Sequence, residues 1–225
     1  MKTYILIIGL SLSLFSCKND IKKDTPKTSN TKLTIAEKIA EAHGLSNWKN
    51  VTEIKFTFNV DRDSSHFDRS FIWKPKTNQV TAITVKDTIS YFRKNVDSIS
   101  LRADQSFIND KFWLLPAFQL AWDKGTTISK PKREIAPISK DSLNKITLIY
   151  NSELGYTPGD AYDIFYDKNY HIKEWIFRQA NQEKPSMITV FSEYKTIKGI
   201  SFPTKSTKET PNWSLYFTDL KITTE

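Results

Sequence analysis

The chain has 225 residues, 13% of them aromatic, and a formal charge of +8 from 33 Lys and Arg against 25 Asp and Glu. The basic residues form no dense stripe and no nucleic-acid module, so DNA or RNA binding is not expected. Cys17 is the lone cysteine, which excludes an intrachain disulfide, and His43, His66 and His171 fall on different segments without ligand spacing, so no metal site is expected.

Lys2 precedes an apolar run from Tyr4 to Leu14, and the run closes on Phe15, the small Ser16 and Cys17. This pattern predicts a secretory signal peptide over residues 1–16. The run is too short to span a bilayer, which takes roughly 20 residues. The lone cysteine directly after the small residue resembles a bacterial lipoprotein box. Cys17 would then carry the lipid, palmitate included, and become the new N-terminus. The membrane is the partner expected through that lipid. The expected location is the cell envelope, at the outer membrane, on its periplasmic or surface-exposed side. Residues 18–32 contain a single apolar residue, Ile21, and cannot bury enough surface to offset ordering entropy. Residues 17–32 therefore read as the lipidated cysteine and a disordered tether. Lys18-Asn19-Asp20 loosely resembles a surface-export signal, and reads equally as a solvated linker.

Residues 33–225 are long enough for one domain with a real core. Thr34-Ile35-Ala36-Glu37 has capping-box spacing, and Ile35, Ala36, Ile39, Ala40 and His43 share one face of a helix of about ten residues. Gly44 is placed for a left-handed end, with Leu45 and Trp48 folding back. His43 reads as a packed or capping residue. From Val51 the period changes to two. Strands are expected over 54–60, 67–73, 80–85 and 89–92, an antiparallel meander. Residues 104–119 suit a helix face, with Asp104 as its cap and Pro116 kinking or ending it. Strands then resume over 146–150, 161–166, 172–177, 187–191, 200–207 and 213–220, separated by turn residues. Nine or ten sequential strands and two helical pieces, with no βαβ rhythm, predict a mainly β chain of α+β type without a parallel sheet.

No Gly-x-Gly-x-x-Gly, phosphate loop or Gly-x-Ser-x-Gly elbow is present. Asp160, Asp163 and Asp167 read as surface or turn residues. No catalytic residue, metal ligand or cofactor is expected, and the protein does not read as an enzyme. Two segments stand out. One, Asp110-Lys111-Phe112-Trp113-Leu114-Leu115-Pro116-Ala117-Phe118, is too apolar for a surface loop. The other, Gly155-Tyr156-Thr157-Pro158-Gly159-Asp160-Ala161-Tyr162, leads into Asp163 to Asp167 and Glu174-Trp175.

These two segments, with Ala42-His43-Gly44 and Trp48, resemble a family of secreted and lipoprotein domains of unknown function. Its members carry an aromatic-Trp-Leu-Leu-Pro stretch and a later Pro-Gly-Asp-x-Tyr turn. Through its strand order the family is similar to the outer-membrane lipoprotein-carrier and lipoprotein-receptor fold, over roughly residues 34–222. The resemblance implies a single strongly curved antiparallel sheet, a half-barrel, with helices on its concave face and room there for acyl chains. The aromatics either leave such a cleft open or close the core completely, and the sequence leaves both open. Phe107, Phe112, Trp113, Leu115 and Phe118 are the hydrophobic-ligand candidates, with Trp113 bordering the site. The first expectation is a non-catalytic, lipid-anchored envelope lipoprotein binding an acyl or other hydrophobic ligand. The alternative is an interaction or scaffold lipoprotein docking an envelope protein partner. A polar cleft of converging carboxylates would instead mark a hydrolase.

Overall fold

A computed structural model describes residues 32–153 and 156–225. The expected signal peptide, Cys17 and all but the last residue of the tether lie outside them. Helix α1 (Ile35–Ala42) opens with the expected capping box. The Glu37 amide donates to Thr34 Oγ1 at 3.3 Å, and the Thr34 amide donates to Glu37 Oε2 at 2.7 Å. Gly44 has φ +90°, and a Cβ there would stand 2.0 Å from the Gly199 carbonyl oxygen. Only glycine allows the helix end to approach that turn so closely. The Asn47 amide side chain donates to the same carbonyl at 3.0 Å, and the Ser201 amide donates to the His43 carbonyl at 2.9 Å.

Twelve strands follow: β1 (Val51–Arg62), β2 (Ser65–Lys74), β3 (Gln79–Ile83), β4 (Thr88–Phe92), β5 (Thr126–Ile128), β6 (Lys132–Ile135), β7 (Ser142–Tyr150), β8 (Ala161–Tyr166), β9 (Ile172–Arg178), β10 (Met187–Ile197), β11 (Ile200–Thr207) and β12 (Trp213–Thr224). Between β4 and β5 lie helices α2 (Leu101–Leu114) and α3 (Pro116–Trp122). All pairings are antiparallel, in the order β4-β3-β2-β1-β12-β11-β10-β9-β8-β7-β5, with β6 also on β7. The sheet is two meanders joined where β1 meets β12, and it does not close.

Its curvature follows from what the helices touch. Phe107 of α2 packs on Phe71 and Trp73 of β2 at ring distances of 5.5 and 5.4 Å. Trp113 packs on Trp175 of β9 at 4.5 Å and faces Phe191 of β10 at 6.0 Å. Five strand spacings separate β2 from β9, roughly 24 Å along the sheet. Phe107 and Trp113 are six residues apart, about 9 Å of helix. The sheet must therefore curl around α2, which lies on its concave face. One cause of the curl is a bulge in β12, where Asp219 adopts φ +52° beside a register shift against β1. The architecture is the expected half-barrel.

Three local expectations need correction. There are twelve strands rather than nine or ten. β5 and β6 are three and four residues long, contain one Ile each, and take their identity from pairing with β7. Asp104 does not cap α2, which begins three residues earlier at Leu101. It is instead buried inside the first turn, where its carboxylate accepts from Arg93 Nε at 2.9 Å and from the Tyr156 hydroxyl at 2.8 Å. Pro116 ends α2 as expected, and it also starts α3 at its first position, where its missing N–H costs nothing. Asp163 is buried rather than superficial, because Thr147 on β7 and Arg178 on β9 flank it across the sheet.

Two buried carboxylates tie distant elements together. Arg69 of β2 donates from Nε and Nη2 to the two oxygens of Asp110 on α2, at 2.5 and 2.6 Å, and from Nη1 to Ser106 Oγ at 2.9 Å. This bidentate clamp holds α2 in the sheet's mouth. Glu174 of β9, also buried, accepts from the Ile138 and Ser139 amides at 2.9 Å each and fixes the turn before β7.

Candidate functional site

Helix α2 divides the mouth of the half-barrel. At 3.6 residues per turn, Arg102, Ala103 and Ser106 fall on one side, and Asp104, Ile108 and Lys111 fall on roughly the other. Each side lines a cleft.

The first cleft has a volume of about 580 Å³ and lies between α2 and the β2–β3–β4 end of the sheet. Its floor is Phe71 and Ala82, both buried. Its rim carries Phe67, Val85 and Ile99, which are 49%, 95% and 74% exposed. Ile89 and Ala103 add to the apolar part of the lining, which His66, Asp68, Lys86, Asp87 and Arg102 interrupt with polar and charged groups. Arg69 reaches this cleft already committed to Asp110, so its charge is answered within the protein.

The second cleft has a volume of about 590 Å³ and is more polar. Arg93, Lys94, Lys111 and Lys124 face Asp104 and Asp123, with Ile108, Phe112, Tyr150 and Tyr156 around them. Lys111 is 8% exposed, and its ammonium lies 5.8 and 5.7 Å from the ring centres of Trp73 and Trp122. Burial pushes its pKa down to about 8, against the pull of Asp123.

The five sequence candidates divide accordingly. Phe112 lines the second cleft, half-buried against Tyr162 and Trp175 at 4.8 and 5.4 Å. Phe107, Trp113, Leu115 and Phe118 are buried in the core and line neither cleft. Trp113 is enclosed by Trp175, Phe191 and Trp213. Sequence reasoning missed the rim of the first cleft. Val85 beside Lys86-Asp87 and Ile99 between Ser98 and Ser100 were its visible signals, as isolated apolar residues in polar turns.

The fold also brings together two histidines that the sequence keeps apart. The rings of His43 and His171 meet edge to face at 5.0 Å, with Tyr194 at 5.7 Å from His43. His43 Nδ1 donates to the Ile39 carbonyl at 2.8 Å, which leaves Nε2 buried without a partner. Burial pushes the His43 pKa down to about 4. Among the described residues no group of three His, Cys, Asp or Glu is arranged to hold a metal. Also among them, no helix is long and apolar enough to cross a membrane.

No protein-family model and no curated protein matches the chain. Among solved structures it is similar to a LolA superfamily protein from Nitrosomonas europaea, with a TM-score of 0.52 and 11% identity over 85% of this chain and 93% of that one. A DUF1329 family protein from Desulfovibrio piger aligns with a TM-score of 0.49 and 8% identity, over 84% and 90% of the two chains. A domain named for outer-membrane lipoprotein sorting, from Vibrio parahaemolyticus, aligns at 0.45 and 14%, over 83% and 93%. The first of these likenesses, at this low identity, shows the fold alone.

Proposed function

We propose that this protein is a lipid-anchored envelope lipoprotein that binds an acyl chain or similar apolar ligand, without catalysis, in the first cleft. The observation that carries the reading is the rim of that cleft. Phe67, Val85 and Ile99 stay exposed around an apolar floor, in a volume within the usual range for ligand pockets, about 300–1,000 Å³. Each methylene of a ligand buried there contributes about 0.8 kcal/mol. In this reading Phe107, Trp113, Leu115 and Phe118 hold the helices in the mouth and do not touch the ligand.

An uncharged fluorescent probe, N-phenyl-1-naphthylamine, is expected to brighten on the purified, lipid-stripped chain. Replacing Phe67 and Ile99 together by Asp should weaken its binding about fivefold or more while leaving the melting temperature within a few degrees, because Ile99 is 74% exposed and Phe67, half exposed, packs against the Arg69 guanidinium. A wild-type chain that leaves the probe dark would sink the carrier reading and favour a surface that docks an envelope protein.

The anchor is part of the same proposal and rests on the Ser16-Cys17 pair after the apolar run. In membrane fractionation, Cys17→Ala should move the protein from the membrane to the soluble fraction. Retention equal to wild type would place the anchor elsewhere.

A further inference from the structure

The second cleft has an imbalance of charge that the proposed apolar ligand does not address. Its two carboxylates are engaged: Asp104 by Arg93 and Tyr156, and Asp123 by the Tyr150 hydroxyl. Arg93 is thereby answered, while Lys94, Lys111 and Lys124 form no ion pair among the described residues. Lys94 and Lys124 are exposed at the rim, where water solvates them. Lys111 is different. Its ammonium is buried and has three N–H donors, of which one meets Gln119 Oε1 at 3.2 Å. Gln119 is itself buried and is held by its Nε2 donating to the Leu115 carbonyl at 3.4 Å. That bond turns the Gln119 carbonyl oxygen toward Lys111. Among the described residues no other acceptor reaches the ammonium. The Trp73 and Trp122 ring faces answer part of this buried charge, but at the wall of an open cleft its unused N–H donors still lack acceptors, which is costly.

We propose that the second cleft binds an anionic group, phosphate or carboxylate, with Lys111 as its buried contact and Lys94 and Lys124 drawing it in from the rim. The anion supplies the acceptors Lys111 lacks, in surroundings where a charge-assisted bond is stronger than in water. Ile108 and Phe112 beside it offer apolar contact to whatever carries the charge. The site stands independently of the first cleft, from which α2 separates it.

The test is calorimetric titration of the full purified chain at pH 7 with hexyl phosphate, hexyl glucoside and inorganic phosphate. Hexyl phosphate is expected to bind about tenfold or more tightly than hexyl glucoside. Lys111→Met should weaken hexyl phosphate binding about tenfold or more and leave N-phenyl-1-naphthylamine binding unchanged. Lys124→Glu, at an exposed position, should weaken it about threefold or more and keeps the test open if the Met variant folds poorly. Inorganic phosphate binding as tightly as hexyl phosphate supports the site and assigns it to a free anion. Weaker inorganic phosphate also supports it and assigns it to an amphiphile's headgroup. Equal affinity for glucoside and phosphate, or phosphate binding unchanged in both variants, overturns the proposal.

Discussion

Trp113→Ala is expected to lower the unfolding free energy by about 3–5 kcal/mol, the usual cost of truncating a large buried aromatic. Trp113 is 9% exposed and packs edge to face on Trp175 at 4.5 Å, with Phe191 and Trp213 at 6.0 and 6.1 Å. It thereby joins the end of α2 to β9, β10 and β12 at once. Its neighbours are themselves large and ringed by others, so the site cannot collapse to fill the void. Against a typical total stability of about 5–15 kcal/mol this is a large fraction. Urea unfolding measures it directly. A loss below about 1 kcal/mol, with binding of the apolar probe abolished, would show instead that Trp113 belongs to a ligand site.

The second large effect is acid sensitivity from His43. Its ordinary pKa of 6.5 applies to the unfolded chain, and burial pushes the folded value down to about 4. Between those values the unfolded state binds a proton that the folded state refuses. Stability is therefore complete above pH 6.5 and falls as the pH drops toward 4. The slope approaches about 1.4 kcal/mol per pH unit, so the loss by pH 4 is on the order of 3 kcal/mol. His171, Tyr194 and Asp167 face the ring: His171 adds to the depression, and Asp167 opposes it. Gln at position 43 cannot titrate. The difference in unfolding free energy between wild type and His43→Gln should thus shrink by about that amount from pH 7 to pH 4. Parallel curves for the two proteins would show that His43 protonates in the fold without penalty.

The sequence was most legible where structure is decided locally. The capping box at Thr34 and Glu37, the left-handed Gly44 and the period-two run of β1 involve neighbours a few residues apart, and they formed where their pattern placed them. Strand ends were less legible. β10 runs on to Ile197 and β12 to Thr224, because pairing with β11 and β1 carries them past the last clear alternation. β5 and β6 had no periodicity to see.

The candidate sites were less legible still. The stretch around Phe112 to Phe118 reads as too apolar for a surface loop, but composition alone does not separate a core residue from a cleft residue. That distinction depends on which side of α2 each residue occupies and on what the curled sheet presents there. Sequence alone therefore determined the local elements, the antiparallel class and the apolar inventory of the domain, since these follow from short-range sterics, hydrogen bonding and periodicity. Tertiary structure alone decided the Arg69–Asp110 clamp, the meeting of His43 with His171, the burial of Lys111 and the opening of a cleft on each side of α2. Each of these needs residues far apart in the chain to be brought together, and only the pairing of β1 with β12 and the curl of the sheet around the helix do that.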